Sequence, residues 1–129
     1  MILRPEKKNI FNVHDPIGLR YLFYLRLSLS PLRSHKIRHG FDDNPSDKCL
    51  CNQGIEDSKH FLSSCKLFTI PRATLRASVV VIPQRYNLDN LINNLQLYLY
   101  GHRSIHFADN KIILLLTIAF IKDTRRLSV

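Results

Sequence analysis

The pattern that most restricts this chain is Cys49-x-Cys51, then eight residues, His60, four more residues and Cys65: a C-x-C-x8-H-x4-C spacing. All three cysteines of the 129-residue chain lie inside it. Three thiols and one imidazole make a complete Cys3His set for one tetrahedral zinc ion. A chain that draws four ligands from so short a stretch has to fold locally around the point where they meet. The neighbouring residues suit that. Gly54 lets the chain turn tightly after the first ligand pair. Asp57 is a good N-cap, so two helical turns from Ser58 to Ser64 carry His60 and deliver Cys65 just beyond them. Phe61 and Leu62 leave the ligand side and anchor that helix in apolar surroundings. Three unrelated buried cysteines and a surface histidine would be the bland alternative, and it leaves their concentration unexplained. With four protein ligands no position remains for water, so the Zn2+ expected here is structural.

Length and composition set the outer bounds. A chain of 129 residues suits one domain with one modest core. An apolar content of 45% against 22% charged residues is that of a globular chain. The formal charge of +9 favours a polyanionic partner. Three cysteines and an opening Met1 to Lys8 without an apolar run argue against a secreted disulfide scaffold. An intracellular protein, nuclear or cytoplasmic, is the expectation. The longest apolar run, Ile112 to Ile121, is ten residues. A membrane helix needs about 20, so this run reads as a buried helix and no membrane partner is expected.

Taken in order, residues 1–14 are expected to be a flexible lead-in and 15–129 a single helical domain. Asp15-Pro16 is a cap followed by a proline at the first helical position. Residues 17–29 fit both a strand alternation and a helical stripe of Leu19, Leu22, Phe23, Arg26 and Leu29, and the cap favours helix. Ser30-Pro31 repeats the signal and opens a second, short helix ending near Gly40. Residues 42–47 read as an acidic loop leading to Cys49. Beyond the ligands, a helix is expected from Pro71 to about Val80, and Pro83 is expected to break the chain. Leu88, Leu91, Ile92, Leu95 and Leu99 keep helix spacing up to a stop at Gly101. A turn with His102 and His106 leads through Asp109-Asn110 to a last helix, apolar nearly all round and therefore central.

The basic residues are unevenly placed. No acid stands between Pro16 and Phe41, where Arg20, Arg26, Arg33, Lys36 and Arg38 occur with His35 and His39. Such a segment beside a zinc knuckle is the expected footprint of nucleic-acid contact. The alternative is a solvated face, or arginines bonding the carbonyls at helix C-termini. Residues 58–88 are also free of acid. Of the aromatics Tyr21, Phe23, Tyr24 and Phe41, core packing is the first expectation and base stacking the second.

The run from Ser30 to Lys36, then Arg38 to Phe41, Cys-x-Cys, and Glu56-Asp57-x-x-His60-Phe61-Leu62-x-x-Cys65 resembles the C-terminal region of non-LTR (LINE-type) retrotransposon reverse transcriptases. Those elements carry a Cys-Cys-His-Cys knuckle downstream of the polymerase. The likeness extends from about Phe11 through Leu99-Tyr100-Gly101 to Phe120–Arg125, with the knuckle its most specific part. It implies an accessory module that holds template RNA or target DNA during target-primed reverse transcription. It also implies a polymerase domain as a partner, whether this chain is a truncated element or stands alone.

Enzyme readings find little to use. Polymerase chemistry needs paired carboxylates holding two metal ions, and Asp42-Asp43 sits in a proline-containing loop. Asp89 with Asp109-x-Lys111 mimics a nuclease arrangement, but Asp109 reads as a helix start. A Cys/His nucleophile pair would reuse the zinc ligands. The expectation is therefore a mainly α, small helical domain around a Cys3His knuckle at 49–65, not an enzyme and without a small-molecule substrate. Cys49, Cys51, His60 and Cys65 are its metal ligands, and Arg20, Arg26, Arg33, Lys36 and Arg38 its nucleic-acid contacts. The rival is a protein-interaction domain that docks its apolar C-terminal helix on a polymerase or other partner.

Overall fold

In a computed structural model, residues 15–40 and 46–128 are described. The lead-in expected over 1–14 and most of the acidic loop lie outside the described residues. The fold is mainly helical: α1 (Pro16–Leu27), α2 (Arg33–Arg38), α3 (Ser58–Ser63), α4 (Thr69–Val79), α5 (Val81–Arg85), α6 (Leu95–Tyr100) and α7 (Phe107–Thr124). Two 3-10 turns, Lys66–Phe68 and Asp89–Asn93, join them. Among the described residues the only extended pairing is an isolated antiparallel bridge between Lys48 and Ile55.

Helix α1 begins where the sequence places it. Asp15 Oδ1 accepts the Gly18 amide at 2.9 Å, and Pro16 costs nothing at N1, where its missing N–H has no partner to lose. Gly18 is buried, and a Cβ there would lie 2.4 Å from Ile118 Cγ2, so α1 crosses α7 at close range. Helix α7 is the hub. It packs on α1, α4 and α6, and buries Ile113, Leu114, Thr117, Ile118, Phe120 and Ile121. Its apolar girth exceeds what the fold covers: Ile112 and Leu115 are exposed. Thr117 sits in the core because its hydroxyl is satisfied by the Ile113 carbonyl at 2.9 Å.

Several boundaries differ from the sequence reading, each for a local reason. Ser30 does not cap α2. It is buried, and its hydroxyl meets His35 Nδ1 at 2.6 Å and accepts from the Leu32 amide, so the helix starts later, at Arg33. The helix expected from Pro71 begins two residues earlier, at Thr69, with Pro71 still in its first turn. Pro83 does not break the chain, because it too falls in a first turn, that of α5, where no intrahelical acceptor awaits its N–H. The stripe from Leu88 to Leu99 is split at Asn94. Its side chain takes the Gln96 amide at 2.9 Å and so starts α6 afresh. Gly101 stops α6 as expected, at φ +77. The turn after it closes through Asn110, which binds the His102 amide and the carbonyls of His102 and Ile105. His106, not Asp109, caps α7, accepting the Ala108 amide on its Nδ1.

Candidate metal centre and basic surface

Two structural pieces bring the four ligands together. The first is the turn between Lys48 and Ile55. The Cys49 amide donates to the Gly54 carbonyl at 2.8 Å and the Asn52 amide to the Cys49 carbonyl at 2.9 Å. Asn52 (φ +65) and Gly54 (φ +127) adopt the left-handed backbone that such a tight reversal needs. The second piece is α3, capped by Asp57, whose Oδ1 accepts the His60 amide at 2.8 Å. Cys65 follows it, its amide returning to the His60 carbonyl at 2.8 Å.

All four side chains are buried, and their ligand atoms lie within 4.8 Å of one another. Cys49 Sγ and Cys65 Sγ are 3.6 Å apart, and Cys51 Sγ is 3.2 Å from His60 Nε2. The group can hold one metal ion. The other ring nitrogen of His60 faces Ser64 Oγ at 3.3 Å, which fixes Nδ1–H as the donor once Nε2 is a ligand. Burial pushes the Cys49 thiol up to about 12. For Cys51 burial acts in the same sense but is outweighed, and its thiol is lowered by the amides of Gln53 and Lys66 and the neighbouring thiols. A cation among them reverses the logic for Cys49, because a coordinating thiol is deprotonated outright.

Three contacts invisible in the spacing tie this centre to the helices. Glu56 is buried, and its carboxylate accepts the Arg33 amide and the Arg126 guanidinium, each at 2.8 Å, across 70 residues in the second case. The Ser34 amide donates to the Glu56 carbonyl, so the start of α2 rests on this one residue. Burial raises the Glu56 pKa, but Arg126 and the Arg33 amide hold it below the usual carboxylate range. Arg72, also buried, donates to the carbonyls of Phe61 and Leu62, which the end of α3 leaves unpaired. Ser58 Oγ donates to the Leu25 carbonyl at the end of α1. Phe61 meets Phe68 and Phe120 at ring distances of 5.5 and 5.3 Å, and Leu62 is buried, so this pair anchors α3 as expected.

The five basic residues named from sequence have different surroundings. Arg20 and Arg38 are exposed and Lys36 is half-buried, and none has an acidic partner among the described residues. Arg33 directs its Nε to the Ser46 carbonyl at 3.3 Å. Arg26 is drawn into the packing: its Nε donates to the Leu99 carbonyl at 2.5 Å, and its guanidinium lies between the rings of Phe23 (5.2 Å) and Tyr100 (4.6 Å). His35 is buried and accepts the Ser30 amide, and burial with nearby Arg38 lowers its pKa, so it is a neutral packing residue and not an exposed donor. Tyr21, Phe23 and Tyr24 are half-buried, and Phe41 lies outside the described residues. Between the ends of α1 and α6, α2 and α3 opens a cleft of about 560 Å3, whose lining includes Arg26, Arg38, Lys59 and Tyr100. Lys59 and Tyr100 belong to this surface although the sequence reading left both out. Only the fold brings α3 and α6 alongside α2.

The fold and the site together define a helical domain with a buried Cys3His group able to take a metal ion. Compared with known proteins, the chain matches no family model, no curated protein and no solved structure. No described helix is long and apolar enough to cross a membrane.

Proposed function

We propose that this chain is a zinc-stabilised nucleic-acid-binding module, an accessory to reverse transcription of the kind its resemblance implies, and not an enzyme. Three thiolates and an imidazole are the ligands tetrahedral Zn2+ favours over hard cations. Zn–S bonds of about 2.3 Å and a Zn–N bond of about 2.1 Å imply ligand separations of about 3.6–3.8 Å around a tetrahedron. The Cys49–Cys65 separation of 3.6 Å falls in that range, Cys51 to His60 at 3.2 Å is tighter, and all four atoms lie within 4.8 Å of one another. The observation that carries the nucleic-acid reading is the seating of α2 on Glu56, the residue between the two halves of the metal centre. That contact presents Lys36 and Arg38 from a fixed base. Arg20 adds charge from α1. Asp109, the strongest hydrolytic candidate, is engaged by Tyr86 Oη at 2.5 Å and by Arg85.

The test uses purified chain of measured zinc content, titrated with single-stranded RNA and duplex DNA over a range of salt. Each phosphate contact contributes a log–log slope of about −0.7 on single strands and −0.9 on duplex. Replacing Lys36 and Arg38 by alanine removes two contacts and flattens the slope by about 1.4 to 1.8, with zinc content unchanged. An unaltered slope in that variant refutes the α2 surface. Exposed Ile112 and Leu115 on α7 favour a second reading, docking on a protein partner. Binding to such a partner that hardly responds to salt supports it.

A further inference from the structure

We propose that the cleft between α1, α2, α3 and α6 receives one unpaired nucleotide of a single strand, its base stacked on Tyr100. The inference rests on the nucleic-acid reading above and adds a specific pocket and a strand preference to it. The cleft, about 560 Å3, is of the size that takes a small organic ligand. Tyr100 lines it and is half exposed. Arg26 takes one side of that ring at 4.6 Å, and the Leu99 carbonyl and Phe23 hold Arg26 in place. Arg26 and the half-exposed Tyr100 thus both line the cleft, and an aromatic ring held beside a cation is the kind of surface on which a base stacks.

The charges around the ring match the rest of a nucleotide. Arg38 on α2 and Lys59 on α3 stand on different walls, and neither has an acidic partner among the described residues. They suit the phosphates either side of an inserted nucleotide. Asp47 and Asp57 also line the cleft, and Asp57 is occupied as the α3 cap. Carboxylates repel phosphate and accept from sugar hydroxyls or exocyclic amines, so that wall is left to the sugar and the base edge. Gln96 adds an amide that both donates and accepts. A duplex keeps its bases stacked within the helix and cannot offer one to the ring without unpairing.

The experiment measures binding of a fluorescein-labelled ten-nucleotide oligouridine and of a blunt ten-base-pair RNA duplex to the zinc-loaded full chain. Wild type is expected to prefer the single strand. Tyr100→Ala should weaken oligouridine binding about 5- to 160-fold, the worth of one base–aromatic stack. Its salt slope should not change, since no charge is removed, and Tyr100→Trp should restore affinity. Photo-crosslinking of wild type to 5-bromouridine RNA should label the peptide containing Tyr100, a readout independent of how any variant folds. Oligouridine binding untouched by Tyr100→Ala, or crosslinks confined to other peptides, overturns the pocket while the α2 salt slope persists. Absence of any nucleic-acid binding by wild type overturns the broader reading and this one with it.

Discussion

The two halves of the metal centre are built on different principles. The turn holding Cys49 and Cys51 buries little besides those sulfurs: Leu50 and Ile55 are 72% and 51% exposed, and the local apolar cluster is the three cysteines with Phe68 alongside. The half holding His60 belongs to the main core through Phe61 and Leu62 and is capped at both ends, by Asp57 and Arg72. On the proposed zinc reading, one half draws its order from the ion; the other is set by the helices around α7. A short, polar, turn-rich segment has little apolar area to offset the entropy of ordering it, and on that reading ligand bonds supply the difference.

Removing the ion gives the largest test of that contrast. Structural zinc in small modules binds with about 10–16 kcal/mol of apparent free energy. Chelation, or Cys51→Ser, should abolish amide protection across 48–55 while α4 and α7 exchange as before, read by hydrogen exchange and mass spectrometry. Equal loss in both regions would merge the two halves into one cooperative unit. Phe61→Ala attacks the other half, and should cost about 3–5 kcal/mol in denaturant unfolding. It should also weaken metal binding, because α3 then has to be ordered by the ion.

The joint between the halves is Glu56, and its loss is smaller. Glu56→Gln keeps the shape but gives up the charge-assisted bonds to Arg126, at about 1.5–3 kcal/mol. Its folded-state pKa is depressed, so its contribution is full above the unfolded value near 4.3 and is lost as pH falls below it. The Gln variant should show no such loss. His35 gives a weaker acid dependence at higher pH. Its pKa is also depressed in the fold, so protonation favours the unfolded chain. Stability from this source should decline as pH drops below about 6.5, and a His35→Gln variant should have the flatter profile. Lys36→Ala with Arg38→Ala should be smallest in stability, within about 0.5 kcal/mol, since neither contributes to the core.

What was legible in the sequence was local. Four ligands within 17 residues, Gly54 at the reversal, and the Asp15 and Asp57 caps each act over a few bonds. The contacts that orient the centre were not legible. Arg126 lies 70 residues from Glu56, and Arg26 lies 73 from Leu99. Nothing near Glu56 marks it as buried, since its neighbour Asp57 already explains an acid before a helix. Arg26 was read as a nucleic-acid contact, with bonding to helix-end carbonyls as the alternative; it bonds the Leu99 carbonyl, and only the tertiary fold brings that helix end near. Pro83, read as a break, misled for the opposite reason. A proline marks a helix's first turn as readily as its end, and only the register of α5 decides which.

The guanidinium of Arg72 has a consequence for the order of assembly. A helix as short as α3 is not stable in water by itself. With Arg72 closing its end and Asp57 its start, the imidazole and Cys65 are brought near their final places by protein contacts alone. On the proposed zinc reading, an arriving ion would meet these two ligands first and the Cys49–Cys51 turn last. Arginine keeps its charge at any pH a protein survives. The closing contact at Arg72 thus does not itself titrate, whatever acid does to the carboxylate cap at the other end.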